Sequence, residues 1–372
     1  MKVALDVSAV PEKVAGAGRY IVEIARRLPE RAVEMTLVTR RDDTERWRAL
    51  SPKATLAPIV PTGRVARLAT EAVLLGRSST ARATNVWHGP HYTMPHSSAA
   101  PTVVTVHDLT FFTNPEWHER SKVVFFRRTI TYSAAHARVL ISVSNYTARL
   151  LEEILPAHAP VVVAPLGVEL DRFTTNPAND SETFAAQGLS GSVPYIFFVG
   201  TVEPRKGLDV LLEAFSHVAR EDSSIELWLA GQAGWGEGPI ESAIASHPFH
   251  NRIRQLGYVN DELLTALYRG AAVVAYPSRG EGFGLPVLEA MACGARVVTT
   301  QDTVMAEVAG AAASLVPVGD ATALASALTG AIHADGTERS EWSRHARARA
   351  EHFTWNECVD QHLVAYDMAA EA

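Results

Sequence analysis

The stretch AAVVAYPSRGEGFGLPVLEAMACGARVVTT (271–300) reads as strand, loop, helix and strand. AAVVAYPS (271–278) is a β-branched apolar run, RGEGFG (279–284) is dense in glycine, and Pro286 stands where a helix starts. ARVVTT (295–300) is apolar again. Strands joined through a helix run parallel, and continuous apolar runs belong to strands covered on both faces. The rhythm extends upstream through YIFFVG (195–200), SIELWLAG (224–231) and RIRQLGYV (252–259), with helices near 207–220, 239–246, 261–269, 285–292 and 320–333. An earlier series, VALDV (3–7), MTLVT (35–39), TVVTVHD (102–108), VLISVS (139–144) and PVVVAP (160–165), alternates with helix-like stretches 18–28, 120–137 and 145–155. The predicted fold is therefore α/β, two doubly wound Rossmann-like domains in tandem. The expected partition is 1–168, a Ser/Thr/Asn/Pro-rich connection 169–194, a second domain 195–354 and a C-terminal helix within 355–372.

Bulk properties remove several function classes. The chain has 372 residues, 47% hydrophobic and 20% charged, and its apolar runs fall short of the ~20 residues that span a bilayer. MKVALDVSAV reads as a first strand and not a secretory signal, so a cytoplasmic location is expected. Cys293 and Cys358 are too few for a metal cluster and read as buried thiols. A net charge of −7 argues against a general grip on nucleic acid.

In open α/β sheets, ligands collect beyond the carboxyl ends of strands. Four loops there carry chemistry. After the first strand, Gly16 and Gly18 precede a helix, where backbone can approach a phosphate or sugar; they serve a tight turn equally well. A dinucleotide fingerprint is disfavoured because position 21 is Ile and the turn is long. His107 and Asp108 end a buried strand, either to orient an acceptor hydroxyl or as a structural pair. Nearby His88, His91 and His96 match no usual metal spacing. Beyond Gly200, the adjacent Arg205 and Lys206 suit a diphosphate, Arg as a fork and Lys as a point charge. Finally, Glu281 and Glu289 flank a loop whose amides from Gly282 to Leu285 form an anion nest. Their placement fits hydroxyl pairs at opposite ends of one extended ligand.

These residues resemble a known pattern. PSRGEGFGLPVLEAMACG, with two glutamates separated by seven residues, resembles the retaining glycosyltransferases of family 4. GAGRY, HGPHYTMP, PTVVTVHDLTFFTNPEWH, ISVSNYT, VGTVEPRKGLDVLLEAF, LGYVNDELLTALYRGA and FTW extend the resemblance over nearly the whole chain. It implies the GT-B architecture, two domains facing a central cleft, with the last helix crossing back to the first. Within the family the chain is most similar to bacterial GDP-mannose-dependent mannosyltransferases of polysaccharide synthesis.

The resemblance implies a nucleotide-sugar donor in the second domain. Gly200, Thr201, Arg205 and Lys206 are implied around the diphosphate, Tyr258 and Val259 at the base, Glu289 at the ribose and Glu281 at the transferred sugar, supported by Gly282, Phe283, Gly284 and Leu285. Gly16 and Gly18 are implied to approach the diphosphate from the first domain. His107, beside the reacting carbon, joins Asp108, Ser144 and Asn145 on the acceptor side. His107, Glu281, Arg205 and Lys206 form the expected catalytic set. No cofactor is required, and no DxD-like metal pair stands in a suitable loop.

Rival readings weigh less. An epimerase should lack the full EGFGLPVLEAMACG stretch, a degenerate binding protein should have lost one of the five key residues, and a pyridoxal-phosphate phosphorylase is much longer. The acceptor is not legible. Arg120, Lys122, Arg127 and Arg128 read either as a peripheral contact with anionic lipid or as the solvated side of a helix whose residues 123–126 face a core. Nothing sets the oligomeric state.

Overall fold

The structure, a computed structural model, describes residues 1–12, 14, 16–156, 158–177, 179–232 and 237–371. The chain divides into two compact units, residues 1–167 with 354–372, and residues 168–353.

The first unit holds a parallel sheet of seven strands: β1 (Lys2–Asp6), β2 (Glu34–Arg40), β3 (Thr55–Val60), β4 (Val86–Gly89), β5 (Thr102–Val106), β6 (Val139–Ser142) and β7 (Val161–Val163). Their order is β3-β2-β1-β4-β5-β6-β7. Central strands are apolar on both faces, with Val103, Val104, Leu140 and Ile141 at most 1% exposed. Two strands escaped the sequence reading. β3, TLAPIV, is a half-exposed edge strand that tolerates Pro58, and β4, VWHG, is only four residues long and carries a histidine.

The Trp355–Glu371 helix packs in this unit against the Ala17–Arg27 helix and strands β4 to β7. A buried polar chain ties it down. His362 Nδ1 lies 2.6 Å from the Cys358 carbonyl, so that nitrogen donates and Nε2 accepts from the Tyr20 hydroxyl at 2.6 Å. The Tyr20 oxygen then accepts from Thr105 at 2.8 Å, Thr105 accepts from His88 Nε2 at 2.8 Å, and His88 Nδ1 accepts from Tyr366 at 2.8 Å. Each proton in this chain is assigned by its neighbour, and every member is satisfied only while both imidazoles are neutral. Burial lowers both histidines, His88 well below the ordinary value and His362 to about 4.

The second unit holds a parallel sheet of β8 (Tyr195–Val199), β9 (Glu226–Ala230), β10 (Ile253–Gly257), β11 (Val273–Tyr276), β12 (Val297–Thr300) and β13 (Ser314–Val316), ordered β10-β9-β8-β11-β12-β13. Residues 169–194, read from composition as a connection, belong to this unit. Their polar residues start a helix, Asp180–Ala186; its Phe184 meets Trp228 edge-on at 6.3 Å, and Arg269 reaches Asp180 at 2.8 Å. The Gly336–Ala350 helix was also missed, because GTERSEWSRHARARA lacks an apolar stripe and buries only Ala346 and Ala350. Cys293 and Cys358 are buried free thiols.

Counted from its own first strand, the second sheet has the order 3-2-1-4-5-6, and the first begins the same way. Strand order reverses at β1/β4 in one unit and at β8/β11 in the other, which opens a crevice at the carboxyl ends of those strands.

Candidate functional site

The β8/β11 crevice gathers Arg205, Lys206 and Glu281. β8 leads through Gly200 and Thr201 to a short turn, Pro204–Lys206, then the Leu208–Glu221 helix. Gly207 between them has φ +70°, and a Cβ there would lie 2.2 Å from the Pro277 carbonyl oxygen. Only glycine lets the two loops approach so closely. β11 leads through residues 277–284 to the Leu285–Ala292 helix, capped by Gly284 at φ +98°. A Cβ on Gly284 would meet Met305 at 2.5 Å.

Where the loops meet, Arg205, Lys206 and Glu281 form one ion cluster. Glu281 Oε2 accepts from Arg205 Nη1, while Oε1 accepts from Lys206 Nζ at 2.5 Å, Tyr276 at 3.0 Å and Ser278 at 2.9 Å. Lys206 is only 7% exposed and also donates to the Tyr276 oxygen at 2.7 Å. Arg205 Nε reaches Glu203 at 2.7 Å. Burial alone would raise the Glu281 carboxyl, but Arg205 and Lys206 outweigh it and hold it at about 2. Burial, together with the Arg205 charge, lowers the Lys206 ammonium against the pull of Glu281. The cluster thus joins the residues read separately as diphosphate and sugar contacts. Glu281, its side chain 10% exposed and held ionised by two cations, is not a solvated loop carboxylate.

Glu289 lies beyond the first turn of its helix, 6% exposed, and accepts from Tyr268 at 3.3 Å. An explanation by helix-dipole attraction in the first turn therefore falls away. Phe283 is buried with its ring 5.7 Å from that of Phe353, so its side chain serves the core. Leu285 is buried at the helix start. Tyr258 follows β10, its side chain 63% exposed, with Val259 next in the chain. Sequence reasoning missed Tyr276 and Glu203. A lone tyrosine ending an apolar strand was the available signal for the first; nothing marked the second.

In the first unit, Gly16 caps the Ala17–Arg27 helix at φ +49°, ψ −119° and Gly18 lies inside its first turn. A Cβ on Gly16 would meet nothing, so its glycine is required by backbone conformation alone. His107 is 7% exposed, with Nε2 2.8 Å from the Pro90 carbonyl. Nε2 donates there, and burial lowers the ring's pKa, leaving a neutral imidazole whose Nδ1 is an acceptor. His107 and Asp108 are not a pair. Asp108 accepts from Thr110 N at 3.0 Å and Tyr92 at 3.0 Å. Ser144 is fully buried and caps the Asn145–Ile154 helix, accepting from Thr147 N at 3.0 Å. Both groups have structural duties that sequence alone did not reveal; Asn145 is exposed at that helix's first position.

His88 is consumed by the buried polar chain, and His96 lies edge-on to Tyr132. Among the described residues no group of three or more His, Cys, Asp or Glu is placed to hold a metal ion. In the Arg120–His136 helix, Val123 and Phe126 pack on the core while Arg127 donates to the Phe111 carbonyl at 2.7 Å. No described helix is long and apolar enough to cross a membrane.

Comparison with known proteins covers both units. The model for Glycosyltransferase Family 4 matches residues 14–172, and that for Glycosyl transferases group 1 matches residues 179–349. O-antigen chain mannosyltransferase B of Escherichia coli is 31% identical over 285 residues, covering 76% of this chain and 74% of that protein. D-inositol 3-phosphate glycosyltransferase of Geodermatophilus obscurus is 28% identical across 98% of this chain and 91% of its own. Among solved structures, HepE of Anabaena in complex with UDP and glucose matches with a TM-score of 0.76 at 19% identity, over 98% of each chain. Its fold is GT-B, as the two sheets here also show.

Proposed function

Since the chain belongs to glycosyltransferase family 4, we propose that it transfers mannose from GDP-mannose, with retention, to a sugar hydroxyl of an oligosaccharide or glycolipid acceptor. A cytoplasmic site of action belongs to the same reading. The observation that carries it is the pair of buried Lys206 and half-buried Arg205 at the β8/β11 switch, both bonded to Glu281. Such preorganised cations stabilise charge that develops on a departing diphosphate. The similarity to an O-antigen mannosyltransferase supports mannose as the transferred sugar.

In this reaction the bond from the anomeric carbon to the diphosphate oxygen breaks, and a bond to the acceptor oxygen forms on the same face. The acceptor's proton passes to the departing phosphate oxygen. Arg205 and Lys206 bind the diphosphate, Glu289 the ribose, and Glu281 both fixes the cations and contacts the sugar. Gly200, Thr201, Tyr258, Val259 and the amides of residues 282–285 complete the donor seat. His107 Nδ1 orients the attacking hydroxyl. Asn145 stays on the acceptor side, whereas Ser144 and Asp108 contribute by holding the loops. A UDP-sugar donor is the second reading, favoured by the fold shared with UDP-binding HepE. Incubation with a panel of GDP- and UDP-sugars, following nucleoside diphosphate release, separates them. Turnover of UDP-sugars alone refutes GDP-mannose.

A further inference from the structure

We propose that a cavity in the first unit, between the Arg64–Val73 and Arg120–His136 helices, is a subsite for one hexose ring of the acceptor, gripped by Glu71, Arg128 and Phe125. The inference deepens the transferase reading and rests on it for the word acceptor.

The cavity measures about 150 Å³, below the ~300–1,000 Å³ of sites that enclose a drug-sized ligand, which limits it to a single ring. Its wall is amphipathic, as a pyranose requires: Phe125, Met94 and Leu68 offer apolar surface, and Glu71, Arg128 and Thr129 offer polar groups. Glu71 is 7% exposed. Its Oε1 accepts from Ser8 at 2.9 Å and from Arg67, whereas no described residue bonds Oε2. Glu71 lines the cavity with one carboxylate oxygen left by the described donors to accept from a ligand hydroxyl. Burial and the nearby Asp6 charge raise Glu71 to about 7 against the pull of Arg67. Arg128 is exposed at the rim with no ion-pair partner among the described residues.

The position also fits an acceptor. Ser133 of the wall donates to the Tyr92 carbonyl at 2.8 Å, and the Tyr92 ring lies edge-on to His107 at 5.6 Å. Tyr92 thus stands between the cavity wall and the histidine assigned to the attacking hydroxyl.

Saturation-transfer NMR on the full chain tests this, with methyl α-D-mannopyranoside and methyl α-D-glucopyranoside as probes. At least one probe should receive saturation from the wild type. Glu71→Gln should reduce it at least fivefold, and Thr129→Phe, which fills the cavity, should abolish it. Arg128→Ala changes an exposed residue, leaves the fold intact, and should reduce transfer about threefold; it keeps the test decisive if Thr129→Phe unfolds. No saturation of either probe, or undiminished transfer in the variants, overturns the subsite. GDP-mannose turnover is followed in parallel. Its absence together with cavity binding refutes GDP-mannose as the donor and leaves the subsite standing, and turnover with undiminished probe binding in the variants refutes the subsite alone.

Discussion

Replacing Glu281 by Gln removes the carboxylate that bridges Arg205 and Lys206. The amide is isosteric, but its nitrogen places a donor against a donor at one of the two cations. The carboxyl is held at about 2 against an ordinary 4.5, which at about 1.4 kcal/mol per unit corresponds to roughly 3 kcal/mol. Breaking a buried ion pair by removing one partner costs about 3–5 kcal/mol, in agreement. For a unit of this size each kcal/mol lowers the melting temperature by about 2–4 °C, so the second unit's transition should fall by roughly 6–20 °C. Scanning calorimetry with and without GDP is the assay. GDP supplies the negative charge that the variant lacks, so its protective shift should exceed that of the wild type at equal concentration. An unchanged melting temperature, or a smaller shift with GDP, refutes the idea that Glu281 neutralises these cations.

Other consequences are open to measurement. His88 and His362 bind protons more weakly folded than unfolded, so stability falls as pH drops from about 6.5 to about 4. Two such groups give a slope of up to about 2.7 kcal/mol per pH unit, which the raised Glu71 carboxyl, of opposite sign, partly offsets; urea unfolding in which His362→Gln leaves the slope between pH 7 and 5 unchanged contradicts the polar chain. Glu281 has the depressed carboxylate pattern, its stabilisation present above about pH 4.5 and lost as pH falls toward about 2, so acid should affect the histidine chain first. Gly207→Ala forces a Cβ within 2.2 Å of the Pro277 carbonyl and should cost at least ~1–3 kcal/mol with weakened nucleotide binding; a neutral variant would show that the loops need no close approach. His107→Ala should lower kcat about 10²-fold through lost positioning of the hydroxyl and leave GDP affinity unchanged. Equal losses in both would make it a structural residue.

Local pattern carried much of this fold and part of its site. β11, its glycine loop and the Leu285–Ala292 helix were legible because an apolar run, a glycine cluster and Pro286 follow one another within 22 residues, 271 to 292. Arg205 and Lys206 announced themselves by falling just after β8. Their bond to Glu281 was not legible, because it joins residues 75 and 76 apart in sequence, and only the strand order places those loops side by side. The same holds for the Tyr20–His362 contact, whose partners lie 342 residues apart. Glu71 was hidden differently, on a helix outside any stretch the periodicity marked. Ser144 and Asp108 show the converse: polar residues at strand ends attract a functional reading, and the structure adds duties that the sequence did not reveal, capping a helix and bracing a turn.

The central claim, that Arg205 and Lys206 seat a nucleoside diphosphate, is tested most directly by calorimetric titration of GDP into the wild type and Lys206→Ala. The account predicts binding by the wild type and a loss of about 1.5–3 kcal/mol in the variant, roughly 10- to 150-fold in Kd. Equal affinity in the two proteins would contradict it.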